Sequence, residues 1–224
     1  MNIKMAVFDM AGTTVADDNF VAKAFQEAFR KNKVEITIED VNPLMGYHKP
    51  LAIQIVLERA GVDFDEQLID QVHTDFENEM IDFYEYSSEV KPLPGTEEAF
   101  QYLKEKGVYI ALNTGFSKDI ADTIMTRFQW KEKGLVDDYI ASDEVEEGRP
   151  ASYMIHELMT RAGVDDASLV AKIGDTAVDI QEGQHAGCGY VVGITTGAYL
   201  QTDLEKYKPT HIIHHLSELP AILQ

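Results

Sequence analysis

From about residue 96 onward, short runs of β-type apolar residues alternate with segments of helical periodicity, and this alternation limits the fold more than any other feature of the chain. The predicted order is helix 96–106, strand 108–112, helix 117–128 with Ser117 at its N-cap, and strand 139–141. Helix 152–162, strand 169–173, a short helix ending at Ala186, and strands 190–194 and 211–213 follow. Gly107 and Gly163 stand where two of these helices should stop. An earlier run, IKMAVF over 3–8, reads as a first strand ending at Asp9 and broken by Gly12-Thr13-Thr14. Strands separated by helices must return in the same direction, which predicts a parallel sheet with helices on both faces.

Residues 15–88 interrupt this scheme, because no clear strand occurs there. Phe20, Val21, Ala24, Phe25, Ala28 and Phe29 form one apolar stripe at helical spacing. A second helix is predicted over 50–60, with Pro50 at its start and Gly61 just past its end. A third, over 64–84, carries Leu68, Val72, Phe76 and Met80. The stretch 87–95 contains Pro92, Pro94 and Gly95 and reads as a linker. The expected organisation is therefore an α/β core built from 1–14 and 89–224, with a helical domain, 15–88, inserted after the first strand.

The chain has 224 residues, 45% of them hydrophobic, enough for a sizeable core. Its formal net charge of -20 argues against nucleic acid or an anionic membrane surface as a partner. The same charge repels anionic substrates, so a phosphate site needs local cations to reverse the field. Cys188 is the one cysteine; it cannot form an internal disulfide and reads as a small packed residue at a strand start. No apolar run approaches the ~20 residues of a membrane span, and the N-terminus lacks the apolar region of a signal peptide. A cytoplasmic protein is expected, with homodimer formation left open.

In parallel α/β sheets, ligands gather beyond the carboxyl ends of the strands. Here those ends carry Asp9, Thr114, the stretch 143–149 that ends in Arg149, and Asp175. Each has an ordinary alternative: turn residues for Asp9 and Thr114, an N-cap for Asp175, a first-turn acid for Asp179, a surface cation for Arg149. Together they form a phosphoryl-transfer set. A carboxylate can attack phosphorus, a hydroxyl and backbone N–H groups can hold phosphoryl oxygens, a cation can offset charge, and paired carboxylates can hold Mg2+.

Asp9-Met10-Ala11-Gly12-Thr13-Thr14, Thr114, Gly148-Arg149-Pro150 and Gly174-Asp175-Thr176-Ala177-Val178-Asp179 occur in this order. This pattern resembles the haloacid dehalogenase superfamily over nearly the whole chain. The resemblance implies a Rossmann-like, doubly wound parallel sheet with a helical cap inserted after the first strand. It implies Asp9 as nucleophile, Mg2+ held by Asp9, the carbonyl of Ala11, Asp175 and Asp179, and Thr114, Gly115 and Arg149 at the phosphoryl group. The implied substrate is a small phosphorylated or phosphonate metabolite.

Position 11 separates branches of that superfamily. Ordinary phosphatases of this type carry a second Asp there, which protonates the leaving alkoxide; this chain has Ala11. The alanine, with the words around Arg149 and Asp175, resembles the phosphonatase branch. Cleaving a C–P bond expels a carbanion, which an imine with a β-carbonyl can absorb as an enamine. That branch has a lysine on the cap soon after a Met and a Gly. Met45-Gly46-Tyr47-His48-Lys49 matches, and Lys49 stands just before Pro50, at a predicted helix N-terminus whose dipole favours the neutral amine. Gly46 and Lys49 are thus expected over the substrate, while His48 has no assigned role. The chain departs from that branch at Ala52 in place of a proton-transferring His, Phe116 in place of a Tyr and Asn19 in place of a Cys. Three readings remain: hydrolysis of a carbonyl phosphonate with Lys49 as imine former, hydrolysis of a phosphate monoester with Lys49 steering phosphate, and an inactive binding module on the same fold.

Overall fold

The structure, a computed structural model, describes residues 3–223. Six parallel strands form one sheet: β1 (Met5–Asp9), β2 (Tyr109–Thr114), β3 (Asp138–Ala141), β4 (Val170–Gly174), β5 (Tyr190–Ile194) and β6 (His211–Ile213). Their order across the sheet is β3-β2-β1-β4-β5-β6. All five residues of β1 are buried, as the central strand of a sheet covered on both faces requires. The register sets Asp9 beside Asn113 of β2 and Phe8 beside Ile173 of β4, which brings three strand ends to one level.

The period-two alternation of β1 divides the core. Met5 and Val7 pack with Met154, Ile155 and Leu158 of α7 (Tyr153–Ala162). Ala6 and Phe8 face the opposite layer, made by α5 (Thr96–Glu105) and α6 (Lys118–Phe128). Strand β2 runs two residues past its expected end and takes in Thr114, because Asn113 and Thr114 pair with Ile140 and Ala141.

Between β1 and α5 the chain is helical: α1 (Phe20–Lys31), α2 (Ile38–Val41), α3 (Lys49–Ala60) and α4 (Glu66–Tyr86). Helix α2 is absent from the sequence reading, since four residues are too few to show a period. Its local cause is a capping box, in which Asp40 Oδ2 accepts from the Thr37 N–H at 2.8 Å and Thr37 Oγ1 accepts from the Asp40 N–H at 3.3 Å. The entry and exit of this helical segment run side by side. Ala16 N–H donates to the Lys91 carbonyl at 3.1 Å, and Leu93 N–H to the Thr14 carbonyl at 2.9 Å. After β4 come α8 (Ala177–Ala186), α9 (Gln201–Leu204) and α10 (Leu219–Ile222). No helix among the described residues is long and apolar enough to cross a membrane.

Aromatic rings tie the helical segment to the sheet. Phe76 of α4 lies 4.4 Å from Phe25 of α1 and 6.3 Å from Phe116 at the mouth of β2, measured between ring centroids. Phe76 is fully buried. Phe76→Ala is expected to destabilise the protein by about 3–5 kcal/mol, the usual cost of emptying a buried ring site. A loss of unfolding free energy below about 1 kcal/mol, measured by chemical denaturation, would contradict the packing described.

Candidate active site

The strand order reverses at β1, with β2 on one side and β4 on the other, and such a reversal opens a crevice at the carboxyl ends. Asp9 ends β1, Thr114 ends β2, and Asp175 follows Gly174 at the end of β4. All three are buried. Asp175 is held from two sides: Thr13 Oγ1 donates to its Oδ1 at 3.0 Å and the Ala198 N–H to its Oδ2 at 2.8 Å. Gly12 turns beneath it with φ +84°, where a β-carbon would lie 2.7 Å from Asp175 Oδ2. Only glycine serves both that left-handed backbone and that close approach.

Beneath the crevice lies a buried charge cluster. Carboxylate oxygens of Asp9, Asp175 and Asp179 lie within 4.8 Å of one another. Arg149 is fully enclosed and makes four hydrogen bonds to protein acceptors. Nε donates to Glu182 at 3.1 Å, Nη1 to Asp9 Oδ1 at 2.6 Å, and Nη2 to Asn113 O and Oδ1 at 2.7 and 2.6 Å; Asp179 Oδ1 lies 3.0 Å from Nη1. Lys172 Nζ sits 2.7 Å from Asn113 Oδ1, 2.9 Å from Asp179 and 3.3 Å from Glu182. In this arrangement Arg149 grips the expected nucleophile. Among the described residues nothing donates to Asp9 Oδ2, which leaves that oxygen available.

Lys172, Glu182 and Asn113 were not singled out from the sequence. Lys172 had a signal: it is a lone cation inside the apolar run of a central strand, where a charge is tolerated only if paired. Glu182 had a weaker one, an acid three residues after Asp179 on one helix face.

The donor set fits a hard divalent cation. It offers only oxygen, and four enclosed carboxylates (Asp9, Asp175, Asp179, Glu182) face two enclosed cations (Arg149, Lys172), leaving two negative charges. Burial, together with the charges of Asp9 and Asp179, pushes the Asp175 carboxyl well above its ordinary value. Burial also raises Asp9, against the opposing charge of Arg149. For Asp179, burial is overcome by Arg149 and Lys172, which hold its carboxyl below the usual value. The uncompensated charge therefore falls on the Asp9–Asp175 side, next to Ala11.

A cavity of about 30 Å³ opens here, lined by Asp9, Ala11, Asp175, Thr114, Gly115 and Phe116 from the sheet side and by Asp17, Met45, Gly46 and Lys49 from the helical segment. That space holds about two waters. Gly46 and Gly115 meet at its wall: a β-carbon on Gly115 would lie 2.5 Å from the Gly46 carbonyl oxygen. Lys49 is the first residue of α3, as expected, and is only 2% exposed. Its ammonium stands 5.1, 5.6 and 5.9 Å from the ring centres of Phe116, Phe25 and Phe76. Burial lowers the amine from 10.5 to about 8, with Asp9 and then Asp17 opposing and Arg149 assisting. His48 points instead into a separate groove with Asp143 and Glu146. The Cys188 thiol is pushed up to about 12 by burial and is inert at neutral pH.

Residues 6–193 match the haloacid dehalogenase-like hydrolase family. The chain belongs to that family. It is a hydrolase, and curated relatives named phosphonoacetaldehyde hydrolase match it over nearly its whole length. The relative from Latilactobacillus sakei is 30% identical, with 99% of this chain and 95% of the relative covered. The one from Bacteroides fragilis is 29% identical over 99% of this chain and 96% of its own length. Among solved structures, a phosphonoacetaldehyde hydrolase-like protein from Oleispira antarctica superposes with a TM-score of 0.88 at 20% identity, covering 100% of this chain and 92% of its own. A predicted phosphoglycolate phosphatase from Haemophilus somnus superposes with a TM-score of 0.83 at 20% identity, covering 100% and 99%. At these identities the superpositions speak for the shared fold.

The charge balance makes a prediction that needs no substrate. Mg2+ at about a hundred times its dissociation constant is expected to stabilise the protein by about 2.7 kcal/mol. For a chain of this length that is a rise in Tm on the order of 5–10 °C. The rise should shrink as the pH falls, because the raised Asp175 carboxyl takes up its proton before an ordinary carboxylate does, and vanish in Asp175→Asn. A Tm indifferent to Mg2+ at pH 8 would remove the metal from this site.

Proposed function

We propose that this protein is a Mg2+-dependent hydrolase of a small carbonyl phosphonate of the phosphonoacetaldehyde type, in which Asp9 takes the phosphoryl group and passes it to water. The observation that carries this reading is the enclosed Lys49 amine, lowered to about 8, in the same cavity as Asp9 and the methyl group of Ala11. The names of the curated relatives point the same way.

In this reading the neutral Lys49 amine condenses with the substrate aldehyde and, with one proton taken up, releases water and leaves a protonated imine. Asp9 Oδ2 attacks phosphorus in line, and the C–P electrons move into the imine to give an enamine. Arg149 fixes Asp9 through Oδ1, so the free oxygen is the one aimed at phosphorus. Thr114 and the Gly115 backbone hold phosphoryl oxygens. Asp9, Asp175, Asp179 and the Ala11 carbonyl would hold Mg2+, which when bound offsets phosphoryl charge. Proton return to the enamine carbon and hydrolysis of the imine free the amine, and water releases phosphate from Asp9.

Residues 15–88 act as a hinged cap in this proposal, turning on the paired connections at 14–19 and 87–95. The small volume of the cavity supports it, since the cavity must open to admit even a small phosphonate. The ring box around Lys49 favours a second reading. Three aromatic faces stabilise an ammonium, as a lysine that steers the phosphate of a monoester would need.

Asp9→Asn is expected to fold normally and to lose phosphoryl transfer by at least about a thousandfold, as removal of a covalent nucleophile does. Near wild-type turnover in that variant would end the proposal. The two substrate readings separate on a panel of phosphonoacetaldehyde and simple phosphate esters, assayed with the Lys49→Arg variant. Imine chemistry requires this variant to be inactive on the phosphonate, because a guanidinium forms no imine; steering requires it to keep much of its esterase activity. Borohydride with phosphonoacetaldehyde should label Lys49 in the parent protein, detectable by peptide mass. Labelling should rise with pH toward about 8 and level off above it, since the amine reacts only when deprotonated. A label that falls over this range, or none, favours the monoesterase.

A further inference from the structure

Imine formation needs a proton donor as well as an amine. The oxygen of the first adduct, a carbinolamine, leaves only as water, and imine hydrolysis needs the proton back. The side chains usually available for this are missing near Lys49: Ala11 presents a methyl group to the cavity, and Ala52, one turn along α3, is a fully buried methyl. Arg149 and Lys172 are committed below the crevice. Asp9 and Asp175 belong to the phosphoryl side. One ionisable lining residue remains, Asp17.

We propose that Asp17 is the proton donor and acceptor of this cavity, giving its proton to the carbinolamine oxygen formed on Lys49 and recovering it when the imine is hydrolysed. The assignment rests on the carbonyl-phosphonate reading above. Asp17 lies in the connection between β1 and α1, and its two carboxylate oxygens have different duties. Oδ1 accepts from the Phe20 N–H at 2.7 Å and the Val21 N–H at 3.2 Å, capping α1. Oδ2 has no donor among the described residues, and Asp17 lines the same cavity as Lys49, close enough for the two charges to act on each other. The cap bonds fix the carboxyl in place and leave one oxygen for chemistry. Burial raises the carboxyl, with the Asp18 charge adding, while the two cap bonds and the Lys49 charge oppose it. The other ionisable neighbour is the enclosed Tyr84 of α4, whose phenol the Asp17 charge pushes further up after burial. A raised carboxyl carries its proton closer to neutral pH, where a general acid is most effective.

The step balances. Carbinolamine and neutral Asp17 give a protonated imine, water and the Asp17 carboxylate: the C–O bond breaks, the nitrogen lone pair forms C=N, and the carboxyl proton leaves with the oxygen. In the release direction, water adds to the product imine, and the carboxylate takes the proton that water loses.

The test uses Asp17→Asn, whose side-chain oxygen still caps α1 but cannot donate an acid proton; Asp17→Ser serves as a second variant that also caps. Borohydride labelling of Lys49 by phosphonoacetaldehyde, and kcat on that substrate, are expected to fall by about a hundredfold or more in both variants. The fold readouts, Tm and its rise with Mg2+, need no proton from Asp17 and should match the parent in both variants. Unchanged labelling, or a loss of labelling that appears only together with a fall in Tm, overturns the assignment to Asp17. If the parent protein itself neither labels nor cleaves phosphonoacetaldehyde, the carbonyl-phosphonate reading falls first, and the assignment with it.

Discussion

The ion cluster at the carboxyl end of β1 is the constraint on which the rest of the structure turns. Six charged side chains, each almost wholly enclosed, share a few ångströms around Asp9 and Arg149. Charges so placed are tolerated only when every one has a partner in good geometry. That demand explains features that otherwise look unrelated: a lysine inside a central strand, an asparagine at a strand end that donates to Glu182 at 2.8 Å, and a glycine turn pressed against Asp175. The cluster nevertheless remains two positive charges short. A site that balanced its own charge would have no electrostatic reason to take a dication.

The parts of this arrangement that were legible in the sequence are those whose position follows from strand ends. Asp9, Thr114 and Asp175 could be found because a strand followed by a loop presents its next side chain at a known edge of a parallel sheet, and the structure brings all three there. Arg149 was legible as a cation near that edge, but its target was not: a guanidinium with five donors chooses its acceptors in three dimensions, and it reaches Asp9, 140 residues away, rather than open space. Helix α2 and the Asn42–Leu44 turn that seats Gly46 were invisible because they are shorter than one hydrophobic period. Asp17 escaped notice because it reads as an ordinary helix cap, which it also is.

The contact between Gly46 and Gly115 joins the two halves of the site through backbone alone. Neither residue has a side chain to offer, and the fit depends on that. The helical segment brings the amine, the rings and Asp17; the strand ends bring Asp9, the hydroxyl of Thr114 and the remaining acids. In the proposed reaction, chemistry at phosphorus and chemistry at carbon are carried by different stretches of chain, which meet at one small cavity.

The paired connections around Val15 and Pro92 have one more consequence. Because the segment leaves and re-enters the sheet at neighbouring points, joined by hydrogen bonds from Ala16 and Leu93, β1 and α5 are placed without reference to what lies between them. A detour whose ends already touch adds little closure entropy whatever its length. Evolution can therefore trade one detour for another, longer, shorter or differently lined, while the six strands stay as they are. In the proposed cap role, substrate choice becomes a replaceable part, open to change without disturbing the strand ends.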